Sequence, residues 1–350
     1  MALRPVSGTG AEAQTRAVAA DLAVRHNGVL QHVYTSAIQG FSLRMRSADA
    51  MALAMDSRVA VIEPNRPLRA GAAPSWGLDR VNQRSLPLDG RRVHGPSASG
   101  VTAYVIDSGV RVTHRDFGGR ARHGYDAVDR DPVADDCSGH GTHVAGTLAG
   151  RRYGVARDAA VVAVRVLDCE GRGTTADVVA GIDWVTRNAR LPAVANVSIL
   201  GSPGDILDTA VANSIAEGIT YVVAAGNSDE DACGSSPARV GAALTVGATT
   251  ASDTRAPFSN WGRCVDLFAP GALITSAWNT GDGASSTLSG TSMAAPHVAG
   301  AAALLLAIHP SATPAQVAQM LIGQATGGAL SDVGAGSPNL LLYAEDEPRT

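Results

Sequence analysis

Four short apolar runs, Val101–Ile106 (VTAYVI), Ala160–Val166 (AVVAVRV), Val194–Ile199 and Thr220–Ala225 (TYVVAA), recur through the middle of this sequence. A strand with one wet face alternates apolar and polar side chains. Runs this short and this continuous instead suit parallel strands covered on both faces. Segments of helical pattern lie between or after them: His140–Ala149, Thr174–Arg187, Leu207–Glu217 and Ser292–His309. The combination predicts a doubly wound α/β fold, with a mostly parallel sheet and helices on both faces. Functional residues then belong at the carboxyl ends of the strands. Asp107 and Asn227 stand just past two such ends.

The first 70 residues have a different texture. A helix over Ala11–Arg25, strands over Val29–Tyr34 and Gly40–Met45, a helix over Ala48–Met55 and a strand over Val59–Ile62 predict a small ferredoxin-like α+β unit. Ala70–Ser75 (AGAAPS) is small, flexible and proline-containing, the composition of a linker open to proteolysis. The expected organisation is a unit over 1–70, a linker over 71–75, a main domain over 76–343 and a polar tail over 344–350.

Charge and cysteines narrow the function classes. A net charge of −4, with no lysine anywhere, gives no basic field for a nucleic acid. The apolar stretch Ala299–Ile308 is too short to span a bilayer and predicts a core helix, so no membrane partner is expected. Cys137, Cys169, Cys233 and Cys264 have no CxxC spacing, which argues against zinc. They can pair in three ways. Two local bridges would each close a loop of roughly 30 residues, worth about 3–4 kcal/mol in the chain-entropy model. Two bridges imply an oxidising compartment, so a secreted protein is expected, although the first residues lack the apolar run of a secretion signal.

Three segments carry chemistry: Val105-Ile-Asp107-Ser-Gly, His140-Gly-Thr-His-Val-Ala-Gly146 and Gly290-Thr-Ser292-Met-Ala-Ala-Pro-His-Val-Ala-Gly300. Acyl transfer through serine needs a hydroxyl, a base to take its proton and an anion to orient that base. Asp107 at a strand end suits the orienting anion. His140 at a helix start, after Cys137-Ser-Gly, suits the base. Ser292 opens another helix, so its main-chain N–H can point at a tetrahedral oxyanion. Pro296, in the first turns, is expected to loosen or kink that helix. Asn227 is the candidate side-chain oxyanion donor, since an amide donates without ionising. His143 and His297, one turn into their helices, read as core histidines.

In the order Asp, His, Ser these segments resemble the subtilisin-like serine proteases, most closely the proteinase K branch and its aqualysin-type enzymes. The resemblance runs from Trp76 to Tyr343. It implies a serine endopeptidase acting on protein substrates through an acyl-enzyme, with His140 as base, Asp107 as orienter, Ser292 as nucleophile and Asn227 as oxyanion donor. It also implies Cys137–Cys169 and Cys233–Cys264 disulfides. The first 70 residues become a propeptide that assists folding and inhibits until the chain cleaves itself near 70–73. A monomer is expected.

By the same resemblance the substrate lies as an added strand between Gly171-Arg-Gly173 and Ser198-Ile199-Leu200, with Ala224, Ala225 and Gly226 lining the pocket before the scissile bond. The family usually reads Ser-Leu-Gly-Gly at the second edge, so Leu200 stands where a glycine is usual and is expected to narrow the groove. No cofactor is implied for the chemistry. Structural calcium is implied at the Asp266 carboxylate with the Gly241 and Ala243 carbonyls, and at Asp126 with Asp131. A third set, Asp79, Asn82, Gln83 and Asp89, is eroded, with Asn82 in place of an acid. Two other readings fit less of the sequence. A peptide-binding pseudoprotease rests on Leu200 alone. An α/β-hydrolase esterase lacks the last glycine of G-x-S-x-G and has a different triad order.

Overall fold

A computed structural model describes residues 2–4, 10–35, 38–62, 75–92 and 95–344. The chain divides into two units, Met1–Ala72 and Ala73–Thr350. The expected linker, apart from Ser75, and the tail from 345 onward lie outside the described residues.

In the first unit, β1 (Ala2–Leu3), α1 (Ala11–Arg25), β2 (Val29–Tyr34), β3 (Gly40–Arg44), α2 (Ser47–Ala54) and β4 (Val59–Val61) follow in sequence. The strands form a four-stranded sheet in the order β2-β3-β1-β4, antiparallel throughout. This is the split βαβ arrangement expected of a ferredoxin-like unit. Leu22 of α1, Phe41 of β3 and Leu53 of α2 are fully buried in its small core.

The second unit runs α3 (Trp76–Arg80), β5 (Thr102–Asp107), β6 (Ala121–Asp126), α4 (His140–Ala149), β7 (Ala160–Arg165), α5 (Thr175–Asn188), β8 (Ala193–Val197), α6 (Asp205–Ala216), β9 (Thr220–Ala224), β10 (Leu244–Thr249), β11 (Leu267–Pro270), β12 (Ile274–Ala277), β13 (Ser285–Leu288), α7 (Thr291–Ile308), α8 (Pro314–Gln324), β14 (Thr326–Gly327) and β15 (Leu340–Leu341). A nine-stranded sheet has the order β14-β15-β11-β10-β9-β8-β5-β7-β6. Every pairing in it is parallel except β14 with β15.

The continuous apolar runs find their explanation in the two cores. Ala103 and Val105 of β5 pack on one side with Val144 and Leu148 of α4 and Val298 and Ala302 of α7. Tyr104 and Ile106 pack on the other with Ile182 of α5 and Val211 of α6. Each strand residue meets a helix whichever way it points. β5 lies between β7 and β8, and the chain builds outward from it in both directions. The crevice at such a reversal, outside the carboxyl ends, is where open α/β sheets hold ligands.

The α7 helix is apolar on all sides and 83% buried, a core helix long and apolar enough by composition to cross a membrane. It continues through Pro296 to Ile308 rather than breaking there.

Candidate active site

Asp107 is the last residue of β5 and is fully buried. Its Oδ1 accepts the Ser108 main-chain N–H at 2.7 Å and lies 2.7 Å from His140 Nδ1. This contact fixes Nδ1 as the protonated nitrogen, which leaves Nε2 as the basic one. The imidazole is about a quarter exposed, with a side-chain accessibility of 26%. Burial alone would lower its pKa, but the Asp107 charge and hydrogen bond outweigh that and raise it above the ordinary value of 6.5.

A second aspartate shapes the turn that presents His140. Asp136 Oδ1 accepts the N–H groups of Ser138 and Gly139 and the Ser108 hydroxyl, while Oδ2 accepts the Thr142 N–H and hydroxyl. Its carboxylate therefore caps the start of α4, where helical N–H groups lack partners and negative charge is favoured. None of the three chemistry-bearing segments includes Asp136. The signal that would have found it is an aspartate just before Cys-Ser-Gly-His at a helix start.

Ser292 is the second residue of α7, so its main-chain N–H has no acceptor within the helix. Its Oγ donates to the Ser198 carbonyl at 3.2 Å and makes no hydrogen bond to His140 in this structure. Catalytic contacts of this kind commonly tighten only when substrate is bound. Pro296 has no N–H to give Ser292, four residues earlier, the helical bond its carbonyl would otherwise accept. The Ser198 hydroxyl supplies the missing donor at 3.0 Å, and Asn196 Nδ2 in turn donates to Ser198 Oγ at 2.8 Å. The proline expected to kink the helix thus frees a carbonyl that anchors Ser292 to the end of β8.

Asn227 follows β9. Its Oδ1 accepts the Thr291 N–H at 2.8 Å and the Thr291 hydroxyl at 3.0 Å. With its oxygen engaged, the amide can offer only Nδ2. That atom and the Ser292 main-chain nitrogen both lie 3.6 Å from the point where a Cβ on Gly290 would stand. Two N–H donors therefore flank one small space that only glycine leaves open. This is the arrangement that stabilises an oxyanion.

Gly171 and Gly173 lie on an exposed loop, and Gly171 has a φ of +74°. Cys169, just before it, is joined to Cys137 by a disulfide with a Cα–Cα distance of 4.8 Å. This bond ties that loop to the turn before His140. Cys233 and Cys264 form the second disulfide. Ser198 is buried, Ile199 and Leu200 are half-buried, and Ala224, Ala225 and Gly226 are buried along the end of β9.

The metal expectations divide. The Asp266 carboxylate accepts the Thr245 N–H at 2.7 Å and has no ion-pair partner among the described residues. Burial pushes its pKa up to about 6. An acid desolvated in this way without a counter-charge is one that a bound cation would stabilise. The Asp126–Asp131 pair does not fit. Arg165 Nη1 lies 2.7 Å from Asp126 Oδ2, and Asp126 Oδ1 is taken by the N–H groups of Val128 and Asp129. Asp131 pairs through its main chain with Asp126, and its side chain accepts from Val133 N–H. A guanidinium holds the place given to calcium, and the two aspartates close a turn. At the eroded set, Asp79 accepts the N–H groups of Asp89 and Gly90.

The family model described as Subtilase family matches residues 98–337. An extracellular serine proteinase of Thermus sp. (strain Rt41A) is 54% identical over 314 residues, covering 89% of this chain and 77% of the relative. An alkaline serine exoprotease A of Vibrio alginolyticus is 48% identical over 324 residues, 90% of this chain, which spans 60% of that relative. Among solved structures, a cold adapted subtilisin-like serine proteinase superposes with a TM-score of 0.76 at 52% identity, covering 79% of this chain and all of that one.

Proposed function

This chain belongs to the subtilase family, serine proteinases that hydrolyse the peptide bonds of proteins, and we propose that it does so with Ser292 as nucleophile, His140 as base, Asp107 as orienter and Asn227 as oxyanion donor. The observation that carries this reading is the 2.7 Å contact between Asp107 and His140 at the strand-end rim that also holds Ser292 and Asn227.

His140 Nε2 takes the Ser292 hydroxyl proton as Oγ attacks the scissile carbonyl carbon. Asn227 Nδ2 and the Ser292 N–H receive the oxyanion. The tetrahedral species collapses, the C–N bond breaks, and the imidazolium returns its proton to the leaving amine, leaving Ser292 acylated. Water then attacks the ester by the same route in reverse, and Ser292 regains its hydrogen. No cofactor takes part in these steps. Gly171–Gly173 and Ser198–Leu200 are the main-chain edges between which an extended substrate pairs, with Ala224–Gly226 as the pocket before the scissile bond.

Residues 1–70 act as an inhibitory propeptide removed by self-cleavage near 70–73. The two disulfides and the extracellular Thermus relative support secretion. The mature enzyme works as a monomer. Asp266 holds calcium with the Gly241 and Ala243 carbonyls as a structural ion. A chelator should lower the melting temperature of the wild type and not of an Asp266→Asn variant; equal melting of the wild type with and without chelator rules the ion out.

The deciding experiment expresses the full chain beside a Ser292→Ala variant. The wild type should lose its first 70 or so residues by intact-mass measurement and cleave casein, while the variant stays at full length. If both remain intact and neither cuts casein, the proposal fails.

A further inference from the structure

β8 and β9 are parallel neighbours in a fixed register, with Asn196 opposite Val222 and Val197 opposite Val223. Continued past the paired region, that register brings Leu200 level with Gly226. The two segments no longer pair there, and both lead to the proposed reacting groups: Ser198 is bonded to Ser292, and Asn227 directly follows Gly226. The side chain that reaches from one segment to the other is Leu200. Its Cδ2 lies 2.7 Å from the point where a Cβ on Gly226 would stand, and Asn260 Nδ2 lies 2.4 Å from the same point.

Leu200 is not a loose occupant. It is half-buried and packs against the cluster of Ala225, Ala232, Ala238, Val265 and Phe268. The next residue, Gly201, exchanges two main-chain hydrogen bonds with Ser236, at 2.9 and 3.1 Å. The facing wall is equally tied, since Asn260 donates through Nδ2 to the Ala225 carbonyl and through its main chain to that of Gly226. Swinging Leu200 out of the way would strip an apolar side chain from its packing, and neither wall can slide back to compensate.

We infer that Leu200 is a specificity-determining residue, which closes the pocket before the scissile bond to all but small side chains and makes this chain a proteinase that cuts after alanine-sized residues. The inference rests on the proteinase reading above and adds a substrate class to it. An aromatic ring needs 150–250 Å² of covering surface that this pocket cannot give while Leu200 stays in place.

The test uses the full chain, allowed to process itself, with three peptide anilides that differ only in having Ala, Leu or Phe before the scissile amide. Each kcat/KM is normalised to sites titrated with a sulfonyl fluoride. The wild type should favour Ala over Phe by about tenfold or more, within the reach of steric discrimination in an apolar pocket. Leu200→Gly should raise the Phe-to-Ala ratio at least about tenfold, and Leu200→Ala part of the way; the milder variant decides if the glycine form does not fold. A wild type that cuts after Phe as readily as after Ala overturns the inference, as does an unchanged ratio in the variants. If the wild type neither turns over any of the three nor reacts with the sulfonyl fluoride, the proteinase reading falls and takes the inference with it. Turnover without the preference removes the inference alone.

Discussion

Ser198 and Ser292 hold each other twice: the Ser198 hydroxyl donates to the Ser292 carbonyl at 3.0 Å, and Ser292 Oγ donates to the Ser198 carbonyl at 3.2 Å. The first bond exists because Pro296 leaves that carbonyl without its helical donor. Ser198 thus holds Ser292, the proposed nucleophile, in place and is itself fixed by the buried Asn196.

Removing the Ser198 hydroxyl leaves a part-buried carbonyl and the buried Asn196 Nδ2 without their partner, which costs about 1–3 kcal/mol. Ser198→Ala should lose that much stability in urea melts. Its kcat should fall several-fold with KM nearly steady, and Ser198→Thr should recover both. A variant with unchanged kcat and unchanged stability contradicts the anchoring role.

Asn227→Ala removes one of the two donors facing the space beside Gly290. The same loss has been measured in subtilisin, a member of this family, as about 10²–10³-fold in kcat, and that range is expected here. KM should change little, because the bond strengthens as the oxyanion forms. Thr291→Val, which removes one of the two groups holding Asn227 Oδ1, should give a smaller fall in the same direction. Steady-state kinetics that show a raised KM instead would place Asn227 in ground-state binding.

The base must be neutral to accept a proton, so activity rises with pH through the His140 pKa. Asp107 holds that pKa above the ordinary 6.5. The acid limb of kcat/KM should therefore lie above pH 6.5. In Asp107→Asn, burial is opposed only by the more weakly acting Asp136 charge, so the limb should move to lower pH while activity falls about 10⁴-fold through loss of the correct tautomer. A limb that does not move in the variant separates His140 from Asp107.

His143 and His297 act on stability rather than rate. Each ring gives one N–H to a main-chain carbonyl, Ile274 and Met293 respectively, and each has its other nitrogen buried without a partner. Burial lowers both pKa values to about 4. Unfolded, they titrate near 6.5, so the unfolded chain binds more protons between these values. Their contribution is complete above about pH 6.5 and declines as pH falls toward 4, by roughly 3 kcal/mol for each ring. Melting temperature should drop across that window, and His297→Gln should flatten part of the drop. A flat profile from pH 7 to 4 contradicts the account.

The central strands were legible in the sequence because both faces are covered, so their residues form unbroken apolar runs. The edge of the sheet was not: β6 (ARHGYD) is polar and half-exposed along most of its length, and carries no such run. β10 and β11 carry no such run either, the first having Thr and Gly among its buried residues and the second being only four residues long. α8 is marked in the sequence by Thr313-Pro-Ala-Gln316, a capping box with proline in the first turn. In the site, the four catalytic candidates could be read from short motifs. Thr291 could not, because its partner Asn227 is 64 residues away, and Asn196 could not, because it acts through Ser198, whose own bond to Ser292 spans 94 residues. Asp126 misled for the same reason, since its partner Arg165 is 39 residues away.

The most direct test is to trap the acyl-enzyme. The processed wild type, mixed with excess p-nitrophenyl acetate at pH 5, should release a burst of one nitrophenol per chain. Peptide mapping by mass spectrometry should then find the acetyl group on the segment containing Ser292, and Ser292→Ala should show neither burst nor adduct. A burst that survives in the variant, or an acetyl group found on another residue, would contradict the assignment of Ser292 as the nucleophile that His140 and Asp107 activate.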